Sequence, residues 1–321
     1  MPAGSNDPAV FQEFRDALGT RDPKTIATYL TTMRGFVAWL AEQPGGAPFQ
    51  VGLITETAVR GYMDALKLAG RAPRTRSKAL SALRRFCQWA VDEGHLRRNP
   101  ARAMERPTVV AMAPTELSPD QRFVLKQLVE QYTTRRFEAI FALSYWAGLR
   151  ISEIAALRVD QCQINQRAGS ITLLDAKGSK TRTLDLHNMA RRALSDYLYP
   201  EHPQDRERDE ESVYVFTSQR AAWLRQQGQP DHLSERGIEH LWMQAKHKGN
   251  HEEWKIIAGV TFHDLRHDFA HRARTAGWSL EEIAVYVGHQ TKDGAPAIAT
   301  TVRYTLPSRK ALKERLQTLE G

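Results

Sequence analysis

Five short stretches in this chain carry side chains whose types and spacing suit work on an anionic group. In Ala147-Gly-Leu-Arg-Ile-Ser-Glu-Ile154, Arg150 and Glu153 stand three residues apart. That spacing places both on one face at the start of a helix, and Gly148 permits a sharp bend before it. An arginine held by a carboxylate beside a helix N-terminus can clamp a phosphate, although the pair taken alone reads as a surface ion pair. Lys177 sits at the tip of an expected hairpin. A lysine there can reach into a site and deliver a proton, but an exposed turn lysine is the commoner case. In Thr261-Phe-His-Asp-Leu-Arg-His-Asp-Phe-Ala-His271, His263 and Arg266 share a helical face near its start, and His267 and His271 continue it at four-residue steps. Histidines at i and i+4 can ligate zinc. The zinc-protease pattern HExxH is absent, however, and Arg266 beside His263 opposes a bound cation, so phosphate ranks above metal. His289 in Val287-Gly-His289 and Tyr304 in Thr300-Thr-Val-Arg-Tyr304-Thr complete the set. Alone they say little, since most tyrosines are packing residues with one wet end.

Such side chains need folded elements to hold them, and the bulk composition provides for that. A length of 321 residues suggests two domains, each large enough for its own core. With 41% hydrophobic and 26% charged residues the chain is globular in character, not disordered. The net charge of +8 favours a polyanionic partner, nucleic acid ahead of an acidic membrane surface. Cys87 and Cys162 are far apart, which argues against a disulfide framework or a cysteine-rich zinc site. Met1 to Val10 lacks the pattern of a signal peptide, and the most apolar segment, Ala139 to Leu149, is too short to span a bilayer. The expectation is a soluble, cytoplasmic protein with no membrane partner.

Apolar periodicity predicts a helical first part. Ile26, Tyr29, Leu30, Met33, Phe36, Val37 and Leu40 line one face of a helix over 23–40, with Asp22 as N-cap and Pro23 in the first turn. Further helices are expected over 55–69 and 75–92. Arg71, Arg74, Arg76, Lys78, Arg84 and Arg85 crowd the start and outer face of the last of these. They suit a solvated face and phosphate contact equally well. Residues 104–119 hold three prolines and little periodicity, so the boundary falls there: a helical domain over 1–105, a linker over 106–118 and a second domain over 119–321. The second domain reads as helices over 119–132, 136–147 and 151–157, then strands at 170–174 and 181–186 around the Lys177 turn. Helices return over 189–198, 234–246, 261–276, 280–287 and 308–319, and 199–212 reads as an exposed loop. The fold class is mainly α with a small β-hairpin or sheet.

The pieces are individually weak, but their order is specific. Arg, Lys, His-x-x-Arg, Gly-His and Tyr in this sequence resembles the tyrosine recombinase (phage integrase) family, in particular its Xer-like site-specific DNA recombinases. The matches are AGLRISEI at 147–154, AKGSKTRTLDL at 176–186, HDLRHDFA at 263–270, VGH at 287–289 and YT at 304–305. Thr25-x-x-x-Tyr29, Leu83-Arg-Arg-Phe-Cys-Gln-Trp-Ala90 and Asn99-Pro-Ala resemble the family's helical, SAM-like core-binding domain, which precedes a mixed α/β catalytic domain.

The resemblance implies roles. Tyr304 attacks a scissile phosphate and forms a 3′-phosphotyrosyl link. A phenol has a pKa of about 10 and needs a base or strong electrostatic help. Arg150 and Arg266 clamp the nonbridging oxygens, Lys177 protonates the 5′-oxygen, His263 partners the tyrosine proton and His289 donates to the phosphate. Glu153 and His267 support them. The covalent link conserves the phosphodiester energy, so no metal, ATP or other cofactor is implied. The implied partner is double-stranded DNA, at the nucleoid, bound by a homotetramer on synapsed sites. The expected helix 308–319, with Leu312, Leu316 and Leu319 along one stripe, docks on its own domain or on a neighbour. Arg74, Arg76, Lys78, Arg84 and Arg85 become candidate DNA contacts.

The chain departs from the family in that Tyr304 lies fifteen positions beyond His289, a longer gap than in many relatives. Thr305-Leu306-Pro307 also stands where Thr-His is common. The expectation is an extra loop that alters how Tyr304 reaches the site or delivers it to a partner. Competing readings are a type IB topoisomerase-like enzyme, a DNA-binding regulator without catalysis, and a metal-dependent hydrolase on the His263/His267/His271 face.

Overall fold

The computed structural model describes residues 8–19, 21–108, 116–165, 167–174, 181–291 and 295–304, with backbone alone at 203, 303 and 304. The chain divides into two compact units, Met1–Ala111 and Met112–Gly321.

Four helices build the first unit: α1 (Ala9–Ala17), α2 (Pro23–Ala41), α3 (Glu56–Leu68) and α4 (Pro73–Asp92). The Asp22 carboxylate caps α2, accepting from the main-chain N–H groups of Lys24 at 2.8 Å and Thr25 at 3.1 Å. Thr55 caps α3 in the same way. Met33 and Phe36 of α2 are buried with Leu80, Leu83 and Phe86 of α4. The periodicity did not single out α1. Two phenylalanines justify it: Phe11 and Phe14 meet the edge of Phe86, with ring centroids 5.9 and 5.0 Å away. Such a short helix is marginal alone, so this burial is what holds it.

Arg84 departs from the outer basic face expected of α4. Its Nε donates to the Ala101 carbonyl at 3.0 Å, and its Nη2 donates to the carbonyl of Met104. The side chain is therefore a tie between α4 and the turn after it. Arg74 and Lys78 are exposed, and Arg76 and Arg85 are half-buried.

The second unit is built on α6 (Arg135–Tyr145), in which Phe137 and every residue from Ala139 to Tyr145 is buried. A helix apolar on nearly all sides belongs inside a domain. Around it lie α5 (Pro119–Tyr132), α7 (Ile151–Ala155), α8 (Asn188–Leu198), α9 (Ala221–Gln226), α10 (Glu235–Lys246), α11 (His251–Ile257), α12 (Phe262–Thr275), α13 (Leu280–Val287) and α14 (Ile298–Tyr304). Ser118 and Gln121 form a reciprocal capping box at the start of α5, with Pro119 in its first turn.

The strands are β1 (Cys162–Ile164), β2 (Gly169–Leu174) and β3 (Thr181–Asp185), antiparallel in the order β1-β2-β3. Sequence patterning gave only the β2–β3 hairpin, because β1 is three residues long. Ser170 pairs with Asp185 and Leu174 with Thr181. This register turns Ile171, Leu173 and Leu184 into the core.

Two segments without a clear sequence reading acquire a role here. The stretch 199–212 is largely exposed, as expected, yet it is pinned. The Glu207 carboxylate accepts the main-chain N–H groups of Arg135 and Arg136 at 3.1 and 3.0 Å, at the N-terminus of α6. The region after His289 is not simply a longer loop. Ala297 N–H donates to the His289 carbonyl at 2.6 Å, and Thr291 N–H donates to Ala295 at 2.8 Å. Gln290 and Pro296 form an antiparallel bridge. The chain thus returns to His289 before α14 begins. Gln290 and Thr291 pair with Pro296 and Ala295 on either side of residues 292–294.

Candidate active site

Two glycines let the site close up. Gly148, at φ +63°, follows α6 and sits where a Cβ would enter the Phe269 ring. Gly288, at φ +70°, ends α13 in the left-handed conformation, and a Cβ there would strike the Arg182 guanidinium. The carbonyls exposed by these two bends become arginine acceptors.

Arg150 is the N-cap of α7 and Glu153 its third residue. Arg150 N–H donates to Glu153 Oε2 at 2.8 Å, its Nη1 to Oε1 at 2.7 Å, and its Nη2 to the Gly288 carbonyl at 2.7 Å. The expected pairing forms, at a half-buried place. Glu153 also binds a residue that sequence reading passed over. Arg182 of β3 grips it through Nη1–Oε1 and Nη2–Oε2, both 2.9 Å, and donates from Nε to the Tyr286 carbonyl at 3.2 Å. The motif AKGSKTRTLDL at 176–186 holds Arg182 as well as Lys177. A charged residue on a strand beside the buried Leu184 position was the available signal.

Arg266 of α12 is 1% exposed. Its Nη1 donates to the Gly148 carbonyl, and its Nη2 donates to Val287 O at 2.7 Å and His289 Nε2 at 3.2 Å. Glu153 Oε2 lies 3.9 Å from its Nη1. One carboxylate therefore stands among three guanidinium groups. Burial pushes the Glu153 carboxyl upward, but hydrogen bonding and charge from Arg182, with Arg150 and Arg266, outweigh this and hold it below the ordinary carboxylate range.

The histidines divide. His263 is exposed in the first turn of α12, and its ring meets that of His267 edge-on at 4.5 Å between centroids. Burial, then the charge of His263, lowers the His267 pKa to about 4. His289 is buried. Desolvation, then the positive charges of Arg266, Arg150 and Arg182, bring its pKa to about 3. Both are neutral at physiological pH. His271 lies elsewhere, with Glu116, Asp268 and Arg122 as its charged neighbours. Buried Asp268 binds Arg122 and Arg272 there, which makes that cluster structural. Among the described residues no group of three or more His, Cys, Asp and Glu side chains is arranged to hold a metal ion.

α14 packs on α13 and α12 and brings its C-terminal residue, Tyr304, into the unit that holds this cluster. The Tyr304 side chain, Lys177 and the expected helix 308–319 lie outside the described residues. Thr301 of α14 was not foreseen as a site residue. It is fully buried, with its hydroxyl oxygen 3.1 Å from His289 Nδ1. The assembly presents fixed, partly desolvated cations around a single carboxylate. Such preorganised donors stabilise a phosphate as its charge builds.

Comparison with known proteins gives the same direction. The family model described as "Phage integrase family" matches residues 121–310, and that for "Phage integrase, N-terminal SAM-like domain" matches 11–94. The tyrosine recombinase XerC of Shewanella amazonensis is 30% identical over 250 residues, covering 76% of this chain and 74% of the relative. Among solved structures, the Tn1549 transposon integrase in complex with transposon right end DNA superposes with a TM-score of 0.67 at 15% identity, covering 96% of this chain and 98% of that one. A lambda integrase tetramer bound to a Holliday junction gives 0.62 at 16% identity, covering 88% and 77%. These two likenesses establish the fold, mainly helical with a small sheet. No helix among the described residues is long and apolar enough to cross a membrane. With a family match over most of the second unit and a second over most of the first, the chain belongs to the phage integrase family and is a site-specific tyrosine recombinase, an enzyme of DNA strand cleavage and religation.

Proposed function

We propose that Tyr304 is the nucleophile and that Arg150 and Arg266 hold the scissile phosphate. The observation that carries this reading is the convergence of both arginines on Glu153, in the unit whose helix α14 ends at Tyr304. In the step, the Tyr304 oxygen forms a bond to phosphorus and the bond from phosphorus to the 5′-oxygen breaks. The tyrosine proton passes to His263, and Lys177 supplies a proton to the departing oxygen. His267 and Glu153 hold His263 and the arginines in place. A neutral His267 suits that task, since it adds no further positive charge beside His263. Religation is the reverse sequence with a new 5′-hydroxyl. No energy source enters, because the phosphotyrosyl link keeps the energy of the broken bond.

In the same reading residues 1–105 form a DNA-contacting domain, 106–118 a connector and 119–321 the catalytic domain. Arg74, Arg76, Lys78 and Arg85 supply phosphate contacts, and Arg84 shapes the surface they stand on. The partner is double-stranded DNA at the nucleoid. The working form is a homotetramer on synapsed sites, with the Leu312, Leu316 and Leu319 stripe of 308–319 docking between protomers. The lambda integrase neighbour, itself a tetramer on a Holliday junction, supports this assembly.

The test uses nicked duplex suicide substrates from the gene's own neighbourhood, in EDTA. A protein–DNA adduct on a denaturing gel, lost in Tyr304→Phe, is the expected result. Specific binding by the wild type without adduct, with both half-sites present, would overturn the catalytic assignment.

A further inference from the structure

The hydrogen bonds around His289 have a direction that its neighbours impose. A guanidinium has five N–H donors and no acceptor. The 3.2 Å contact between Arg266 Nη2 and His289 Nε2 therefore requires a lone pair on Nε2. The neutral ring then carries its proton on Nδ1, which faces the Thr301 hydroxyl oxygen at 3.1 Å. That hydroxyl in turn donates to the carbonyl of Ala297, the residue just before α14, at 3.3 Å. Donation thus runs one way, from Arg266 to His289 to Thr301 to the backbone just before the helix that ends at Tyr304. All three side chains are buried, so water does not replace a missing partner cheaply.

From this geometry we infer that Thr301 is a positioning residue: through the tautomer of His289 it couples the orientation of Arg266 to the placement of the nucleophile helix. The inference rests on Tyr304 being the nucleophile. Without the threonine hydroxyl, the Nδ1 proton has lost its acceptor. The ring then moves its proton to Nε2, where it faces an Arg266 N–H, donor against donor. Arg266 shifts, and the phosphate clamp shifts with it. The same chain refines the role expected of His289: with Nε2 engaged as an acceptor, the neutral resting ring steadies Arg266.

The test uses the full-length protein with two substitutions of different chemistry. Thr301→Val keeps the shape and removes the hydroxyl, whereas Thr301→Ser keeps the hydroxyl. Imidazole nitrogen NMR, with the His289 signal assigned by its absence in His289→Asn, reads the tautomer directly. The expected wild-type result is a proton on Nδ1, retained in Thr301→Ser and lost in Thr301→Val. Single-turnover adduct formation at saturating DNA should slow on the order of tenfold in Thr301→Val, with the serine variant within about threefold of wild type. A wild-type proton on Nε2 overturns the inference even if the valine variant folds poorly. So does a Thr301→Val adduct rate equal to wild type while Tyr304→Phe gives none. An adduct persisting in Tyr304→Phe rejects the nucleophile assignment itself, which separates the two failures.

Discussion

Glu153 and Arg182 face each other as a two-point fork, each carboxylate oxygen 2.9 Å from a guanidinium nitrogen. They join a strand to the short helix that begins at the Arg150 cap, across 29 residues of sequence. Such bidentate pairs fix orientation as well as distance. Because Arg182 also reaches the Tyr286 carbonyl, and Arg150 the Gly288 carbonyl, the pair ties β3, α7 and the end of α13 into one frame. Lys177 belongs to the connection between β2 and β3, so this frame also anchors the strand that follows the proposed general acid.

Glu153→Gln should therefore cost more than one surface ion pair. It leaves the Arg150 and Arg182 charges without their shared carboxylate, an expected loss of about 2–3 kcal/mol in urea unfolding, discounted for the partial exposure of Arg150. Adduct formation should fall on the order of a hundredfold. Gly288→Ala, which puts a methyl into the Arg182 guanidinium at a left-handed position, should reproduce the activity loss without changing any charge. Wild-type adduct rates in both variants would refute the frame. The sign with pH follows from the depressed Glu153 carboxyl. Its contribution is present above the ordinary carboxylate value of about 4.3 and is lost as pH falls below it.

His267 and His289 predict a second, separate acid sensitivity. Their pKa values of about 4 and about 3 lie below that of an unfolded histidine. The unfolded chain therefore binds protons first, and the stability they confer is full above about pH 6.5 and declines on acidification. Each histidine adds a slope of up to about 1.4 kcal/mol per pH unit in that window. The melting temperature should fall between pH 6.5 and 5, before most carboxylates titrate, and His267→Gln should flatten the decline. A profile level down to pH 5 would count against the neutral rings of His267 and His289.

The pairing on either side of residues 292–294 predicts tolerance there. It is held by Ala297 N–H to His289 O and by the Gln290–Pro296 bridge, so α14 starts from the same place whatever those residues carry. Excising residues 292–294 should leave adduct formation within about twofold of wild type, because loop length acts only weakly once the ends are fixed. Loss of activity on excision, in a variant with an unchanged melting temperature, would show that these residues themselves touch DNA or a partner.

The basic residues of α4 should separate into two kinds. Arg74→Ala and Lys78→Ala are expected to weaken DNA binding uniformly across sequences and to lower the salt slope by about one each. Arg84→Ala should instead destabilise the first unit, since it frees the Ala101 and Met104 carbonyls, at a cost on the order of 1–2 kcal/mol. Titrations at several salt concentrations, beside urea unfolding of each variant, distinguish the two.

The amino-acid order alone determined most of the helices, the β2–β3 hairpin, the Arg150–Glu153 pair and the set of chemistry-bearing residues. These are local matters: helical period, caps such as Asp22 and Ser118, and three-residue spacings on one helix face act within a turn or two of chain. Tertiary structure alone decided which side chains meet. Arg182 joins Glu153, Thr301 joins His289 and Arg266 joins the Gly148 carbonyl across 29, 12 and 118 residues, separations that periodicity does not report. It also tied Arg84 to the Ala101 and Met104 carbonyls, set His271 beside Asp268 and Glu116, and paired Gln290 with Pro296 after His289. For Arg182, Thr301, Arg266 and Arg84 the deciding cost was leaving a buried donor or carbonyl without a partner. That cost acts between elements that meet only when the whole unit has packed.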